Sequence, residues 1–189
     1  MTGTVDLKTQ NSKPETDIAQ RARRIKLLLM DCDGTLTDAR IWLTPDGDEQ
    51  KLFHARDGQG ISIWHRAGFK SGIISGRASS GVERRAHELK MAYVHQYAES
   101  KMVALEEIIA DAHVAVEECC FIGDDLSDIG VMRLVGLAVA VADAAEDTKR
   151  AAHHVTALNG GAGAVREVIE LILKAQDRWD ELVEQFTSH

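Results

Sequence analysis

Cysteine is scarce in this 189-residue chain. There are three, Cys32, Cys119 and Cys120, and two are adjacent. No spacing suits a zinc site or a disulfide framework, so buried, reduced thiols are expected. Long apolar runs are absent too, and none approaches the ~18 residues that cross a membrane. Met1 to Thr16 is polar and holds no apolar h-region. No signal peptide is therefore expected, and the cytoplasm is the expected compartment. A basic excess is also missing: Lys and Arg number 22 against 30 Asp and Glu, a net charge of −8. That balance argues against a nucleic-acid partner, whose phosphates are met largely by Lys and Arg. It also disfavours an anionic substrate unless local cations override the overall field.

What is present is a chain with 44% apolar residues, enough for one domain with a substantial core. Residues 1–16 read as a loose tail and 17–189 as the domain. Glu15 to Arg24 suits a short helix. Brief apolar runs then alternate with helical patterns. Strands are expected at Ile25 to Asp31, Lys70 to Ile74, Ala92 to Val94, Cys119 to Ile122 and Leu137 to Val141, with a last one beginning near Val155. Helices are expected at Asp57 to Arg66 (capped by Asp57 and ended by Gly68), Ser79 to Leu89, Ser100 to Ala110, Leu126 to Leu134, Ala144 to Ala151 and Ala164 to about Phe186. The alternation predicts an α/β fold, a Rossmann-like three-layer arrangement around a parallel sheet. Thr44-Pro45-Asp46-Gly47-Asp48 lies between two short extended runs, a hairpin signal. A flap at about 38–54 is expected there, and no cap domain fits in the gap that follows.

Three strands end in polar clusters: Asp31-Cys32-Asp33-Gly34-Thr35, Ser75-Gly76-Arg77 and Gly123-Asp124-Asp125. In a parallel sheet these ends share one edge, where ligands sit. That edge would gather the carboxylates of Asp31, Asp33, Asp124, Asp125 and Asp128, the Ser75 hydroxyl and the Lys101 ammonium. Crowded carboxylates need a counter-cation, and oxygen ligands select a hard one such as Mg²⁺. A cation, a lysine, a hydroxyl and glycine N–H groups together make a phosphoryl socket.

These residues, in this order, resemble the four motifs of the haloacid dehalogenase superfamily, over about Ile25 to Val141. The resemblance implies an HAD-like fold and an aspartyl-phosphate route. Asp31 would be the nucleophile and Asp33 the acid and base. Ser75, Lys101 and Gly34 would hold the phosphoryl group. Asp31, Asp33 (through its carbonyl) and Asp124 would bind Mg²⁺, with Asp125 and Asp128 supporting them or orienting Lys101. Phe53 to Ile61, Ser75-Gly76-Arg77, Gly136 to Ala144 and Gly160 to Val168 further resemble the capless branch that hydrolyses 3-deoxy-D-manno-octulosonate (KDO) 8-phosphate for lipopolysaccharide synthesis. That likeness implies a small-molecule sugar phosphate as partner. It also implies a homotetramer with active sites at subunit junctions. It puts His54, Ala55, Arg56, Asp57, Gly58 and Ser62 in the sugar-contact region, with Ser62 departing from the expected basic residue.

Arg77 would pair with the substrate carboxylate, or alternatively with a nearby acid. Arg85 would either help or lie on a solvated helix face. His54 would touch sugar or pack the flap. Trp179 and Phe186 would be core or an inter-subunit plug, and Gly160-Gly161 a hinge or a phosphate loop. Two other functions fit the motifs: a phosphatase for a nine-carbon keto-acid sugar 9-phosphate of the sialic acid type, and a non-catalytic phosphatase-like oligomerisation domain. Intact Asp31 and Asp33 speak against the latter.

Overall fold

A computed structural model describes residues 14–45, 47 and 49–187. The expected tail lies outside the described residues except for its last three, which open helix α1 (Pro14–Ala22). The strands of the main sheet are β1 (Leu27–Met30), β4 (Lys70–Ile74), β5 (Tyr93–His95), β6 (Cys119–Gly123), β7 (Leu137–Ala140) and β8 (His154–Val155). They pair in the order β5-β4-β1-β6-β7-β8, all parallel. Every residue of β1, β6 and β7 is buried. Strands covered on both faces can be apolar throughout, which is why these runs do not alternate.

Helices α2 (Ala55–Arg66) and α7 (Ala164–Ala175) pack on each other, and α1 packs on α7. Elsewhere α4 (Lys101–Ala112) packs on the short α5 (Ile129–Met132). Trp64 of α2 is fully buried, donates from Nε1 to the Lys70 carbonyl at 2.8 Å, and lies against Phe69. Cys32, Cys119 and Cys120 are buried and free; burial pushes the Cys119 thiol up to about 12 and the other two higher still.

The flap is present as β2 (Trp42–Leu43) against antiparallel β3 (Glu49–Gln50). Its turn uses Gly47 at φ 88°, the left-handed region where a side chain is disfavoured. Helix α3 (Ser80–Glu88) receives the flap, where Ser79 Oγ donates to the Glu49 carbonyl at 3.0 Å.

Two local expectations are corrected. Helix α2 starts at Ala55, so Asp57 lies inside its first turn and caps a different helix. Its carboxylate accepts from the backbone N–H of Gly163 at 3.1 Å and of Arg166 at 2.9 Å, at the start of α7. The long C-terminal helix is two helices, α7 and α8 (Trp179–Thr187). Asp177 takes φ 57° between them, Arg178 N–H donates to the Leu173 carbonyl, and Asp177 N–H to that of Lys174. This is a Schellman ending, with aspartate in glycine's usual place.

Candidate active site

The sheet register builds the site. Met30 pairs with Ile73 on one side and Ile122 on the other. One step further, Asp31 stands immediately before the level of Ser75 and Asp124, and its N–H donates to the Ile122 carbonyl at 2.9 Å. After β1 the chain builds β4 and β5 to one side, then crosses to build β6, β7 and β8 on the other. Such a switch point opens a crevice beyond the strand ends. Asp31 and Asp124 sit at it.

Lys101, the first residue of α4, is buried. A cation there opposes the helix dipole, and two carboxylates offset that: Asp31 Oδ1 at 2.7 Å and Asp128 Oδ1 at 2.6 Å. Burial disfavours the ammonium, but the two charges outweigh it and hold Lys101 above its ordinary range. Asp128 is fully buried, and its other oxygen accepts the N–H groups of Asp124 at 3.0 Å and Asp125 at 3.2 Å. Asp128 is thus the residue that orients Lys101. The carboxylate of Asp125 instead caps the next turn by accepting the Leu126 N–H at 2.8 Å.

Asp31, Asp124 and Asp128 each offer an oxygen within 4.8 Å of the others. Burial raises Asp31 to about 6, with Lys101 opposing and Asp128 adding. Burial, joined by the charges of Asp31 and Asp128, raises Asp124 to about 8. Asp124 Oδ1 is buried without a hydrogen-bond partner among the described residues. An orphaned carboxylate oxygen beside a second carboxylate fits a hard divalent cation. Gly34, at φ 93°, lies against Asp124 so closely that a Cβ would overlap its carboxylate.

Asp33 is half-buried and belongs to a second charge cluster. Lys51 Nζ lies 2.5 Å from Asp33 Oδ1 and 2.7 Å from Glu49 Oε2, with its side chain only 1% exposed. Arg77 pairs with Glu49 through NH2 and, at 3.5 Å, through Nε, and its Nε is 3.9 Å from Asp33 Oδ2. The pairing with Arg77, then Lys51, holds Glu49 below the usual carboxylate range. Sequence reasoning missed Lys51 and Glu49. A signal existed: opposite charges two apart in an extended segment share one face.

The remaining expected residues are placed as follows. Ser75 is buried at the end of β4, where its hydroxyl accepts the Arg77 N–H at 3.3 Å. Arg85 pairs with Glu88 at 2.9 Å and lies over Gly58, close to Phe53. His54 precedes α2, with Nδ1 4.0 Å from Asp57 Oδ2. Ala55 is exposed, and Arg56 lines a cleft of about 560 Å³ with Arg166, Glu170 and Lys174 of α7. None of the carboxylate cluster lines that cleft. Asp57 is engaged by α7, and Ser62 donates to the Gly58 carbonyl at 3.1 Å inside its own helix. Asp57 thus holds the start of α7, and Ser62 bonds within α2.

Gly160 and Gly161 pack backbone against backbone on the Asp31 loop, and Gly161 N–H donates to the Thr35 carbonyl at 3.0 Å. They buttress that loop. Trp179 packs under Arg166 and Lys174, and Phe186 under Arg66, both within the same chain.

The sequence model of the haloacid dehalogenase-like hydrolases matches residues 94–169. The 3-deoxy-D-manno-octulosonate 8-phosphate phosphatase of Yersinia pestis is 42% identical over 178 residues, 94% of this chain and 95% of the relative. The phosphatase of the same name from Escherichia coli K12 is 40% identical over 165 residues, 87% and 88% of the two chains. The structure of the Moraxella catarrhalis phosphatase of that name, with magnesium, phosphate and KDO, matches with a TM-score of 0.88. It is 38% identical, over 90% of this chain and 98% of that one.

Proposed function

This chain belongs to the haloacid dehalogenase-like hydrolases, in the family of the 3-deoxy-D-manno-octulosonate 8-phosphate phosphatases, and we propose that it hydrolyses that sugar phosphate to KDO and inorganic phosphate. The observation that carries the chemistry is Asp31, buried on Lys101 at the end of the central strand, with Asp124 beside it.

Asp31 is the nucleophile. One carboxylate oxygen attacks phosphorus, and the bond from phosphorus to the sugar oxygen breaks. Asp33 gives its proton to the departing alkoxide. Asp33 then takes a proton from a water that attacks the phosphorus of the aspartyl-phosphate. The bond to Asp31 breaks, inorganic phosphate leaves, and both carboxyl groups return to their starting forms. Ser75, Lys101 and the Gly34 N–H, which is bound only at 3.4 Å to Thr37 Oγ1, hold the phosphoryl oxygens. Asp31, Asp124 and the Asp33 carbonyl would hold Mg²⁺. When bound, the ion neutralises charge gathering on the phosphoryl group.

Arg77 receives the substrate carboxylate, since its fork already takes the Glu49 carboxylate at two points. Arg85 and His54 face the sugar, while Asp57 holds the start of α7 and Ser62 bonds within α2. The enzyme is read as cytoplasmic, where buried thiols stay reduced, and its product would serve lipopolysaccharide synthesis. Ile41, Trp42, Leu43 and Leu52 leave the flap with an exposed apolar surface. That surface supports a homotetramer in which neighbouring copies cover the flap and close each site.

The test is phosphate release from KDO 8-phosphate and from a nine-carbon keto-acid sugar 9-phosphate. The eight-carbon substrate should show the higher kcat/KM, and Asp31→Asn should lower kcat on it by about 10³-fold or more. Preference for the nine-carbon sugar would reassign the substrate. Turnover that survives Asp31→Asn would remove the nucleophile.

A further inference from the structure

The flap strand places two charged side chains on the site at once. Glu49 holds the guanidinium of Arg77, and Lys51, two residues on, holds the carboxylate of Asp33. The strand is pinned beneath them by Ser79 Oγ on the Glu49 carbonyl. Arg77 meets Glu49 as an arginine meets a free carboxylate, through Nε and a terminal nitrogen to two different oxygens.

We propose that Glu49 is a specificity-determining residue. It occupies the carboxylate subsite on Arg77 in the free enzyme and gives way only to a substrate that brings a carboxylate of its own. This rests on the reading that Arg77 takes the substrate carboxylate. A keto-acid sugar phosphate exchanges one carboxylate for another on Arg77, so the site loses no ion pair. A neutral sugar phosphate has nothing to offer Arg77 and leaves Glu49 in place. Because Lys51 Nζ also pairs with Glu49 Oε2 at 2.7 Å, displacing Glu49 draws the ammonium away from Asp33 and opens that carboxyl group to the sugar oxygen. The flap thereby links recognition at one end of the substrate to access at the other.

The experiment compares wild type, Glu49→Gln and Arg77→Met. KM is measured for KDO 8-phosphate and for mannose 6-phosphate, which lacks a carboxylate, and KDO binding is measured by calorimetry as a readout independent of turnover. An exposed ion pair limits the gain, so Glu49→Gln should tighten KDO and lower the KM for KDO 8-phosphate by up to about fivefold. The KM for mannose 6-phosphate should not move. A fall shared by both substrates would mean general loosening of the flap and would overturn the proposal. So would an unchanged KDO affinity in Glu49→Gln while Arg77→Met weakens it; that result would leave the Arg77 assignment standing. If Arg77→Met leaves KDO binding unchanged, the Arg77 assignment fails, and the role of Glu49 falls with it.

Discussion

Asp124 shows how burial and like charge load a single residue. Its carboxyl group keeps its proton to about 8 in the folded chain, against an ordinary value of 3.8, and Asp31 keeps its own to about 6. Between those values the folded state binds more protons than the unfolded chain. Stability of the metal-free protein must therefore fall as pH rises. The contribution is complete below about 4 and is lost on passing through about 8. Thermal melts of chelated protein from pH 5 to 9 should show a falling Tm, and added Mg²⁺ should flatten the slope. Mg²⁺ affinity should rise with pH over the same window, because binding displaces those protons. A Tm of the chelated protein that climbs from pH 5 to 9 would contradict the charge crowding described here.

At the level of elements, the start of α7 depends on a residue of α2. Asp57→Ala would leave the N–H groups of Gly163 and Arg166 buried without their acceptor. A loss of about 2–3 kcal/mol is expected in denaturant unfolding, with Asp57→Asn losing less. KM for KDO 8-phosphate should stay close to wild type in the folded variant; a large rise would return Asp57 to the sugar. This cap was not legible in the sequence, because its partners lie more than a hundred residues away and Asp57 also fits the start of its own helix. The α7–α8 break was hidden for a related reason: Asp177 adopts a conformation that glycine would have announced. By contrast, β1, β6 and β7 were legible as apolar runs, and Asp31, Ser75, Lys101 and Asp124 as strand-end or helix-start residues. Sheet register brings Asp31, Ser75 and Asp124 together, and Lys101 joins them from the first residue of α4. Lys51 and Glu49 were visible only as two opposite charges sharing a face; which groups they meet is set by how the flap folds back, which no local pattern encodes.

For the whole molecule, the flap carries the apolar surface on which the proposed assembly rests. Trp42 is 58% exposed and Leu43 73%, and covering each is worth about 2 kcal/mol. If the proposed tetramer forms through this surface, a Trp42→Ser, Leu43→Ser double variant should shift the mass seen by light scattering toward smaller species and lower activity with it. An unchanged tetramer would place the contact elsewhere. Strand order has a consequence of another kind. Asp31 lies on the central strand, its lysine arrives seventy positions later, and Asp124 and Asp128 come later still. The buttress from Gly160 and Gly161 is made after all of them. A ribosome-bound chain stopped before β6 holds Asp31, the proposed nucleophile, with neither of the aspartates that crowd it. Chemical competence during synthesis therefore comes late and all together, and a truncated product would be inert rather than a weak, unselective phosphatase.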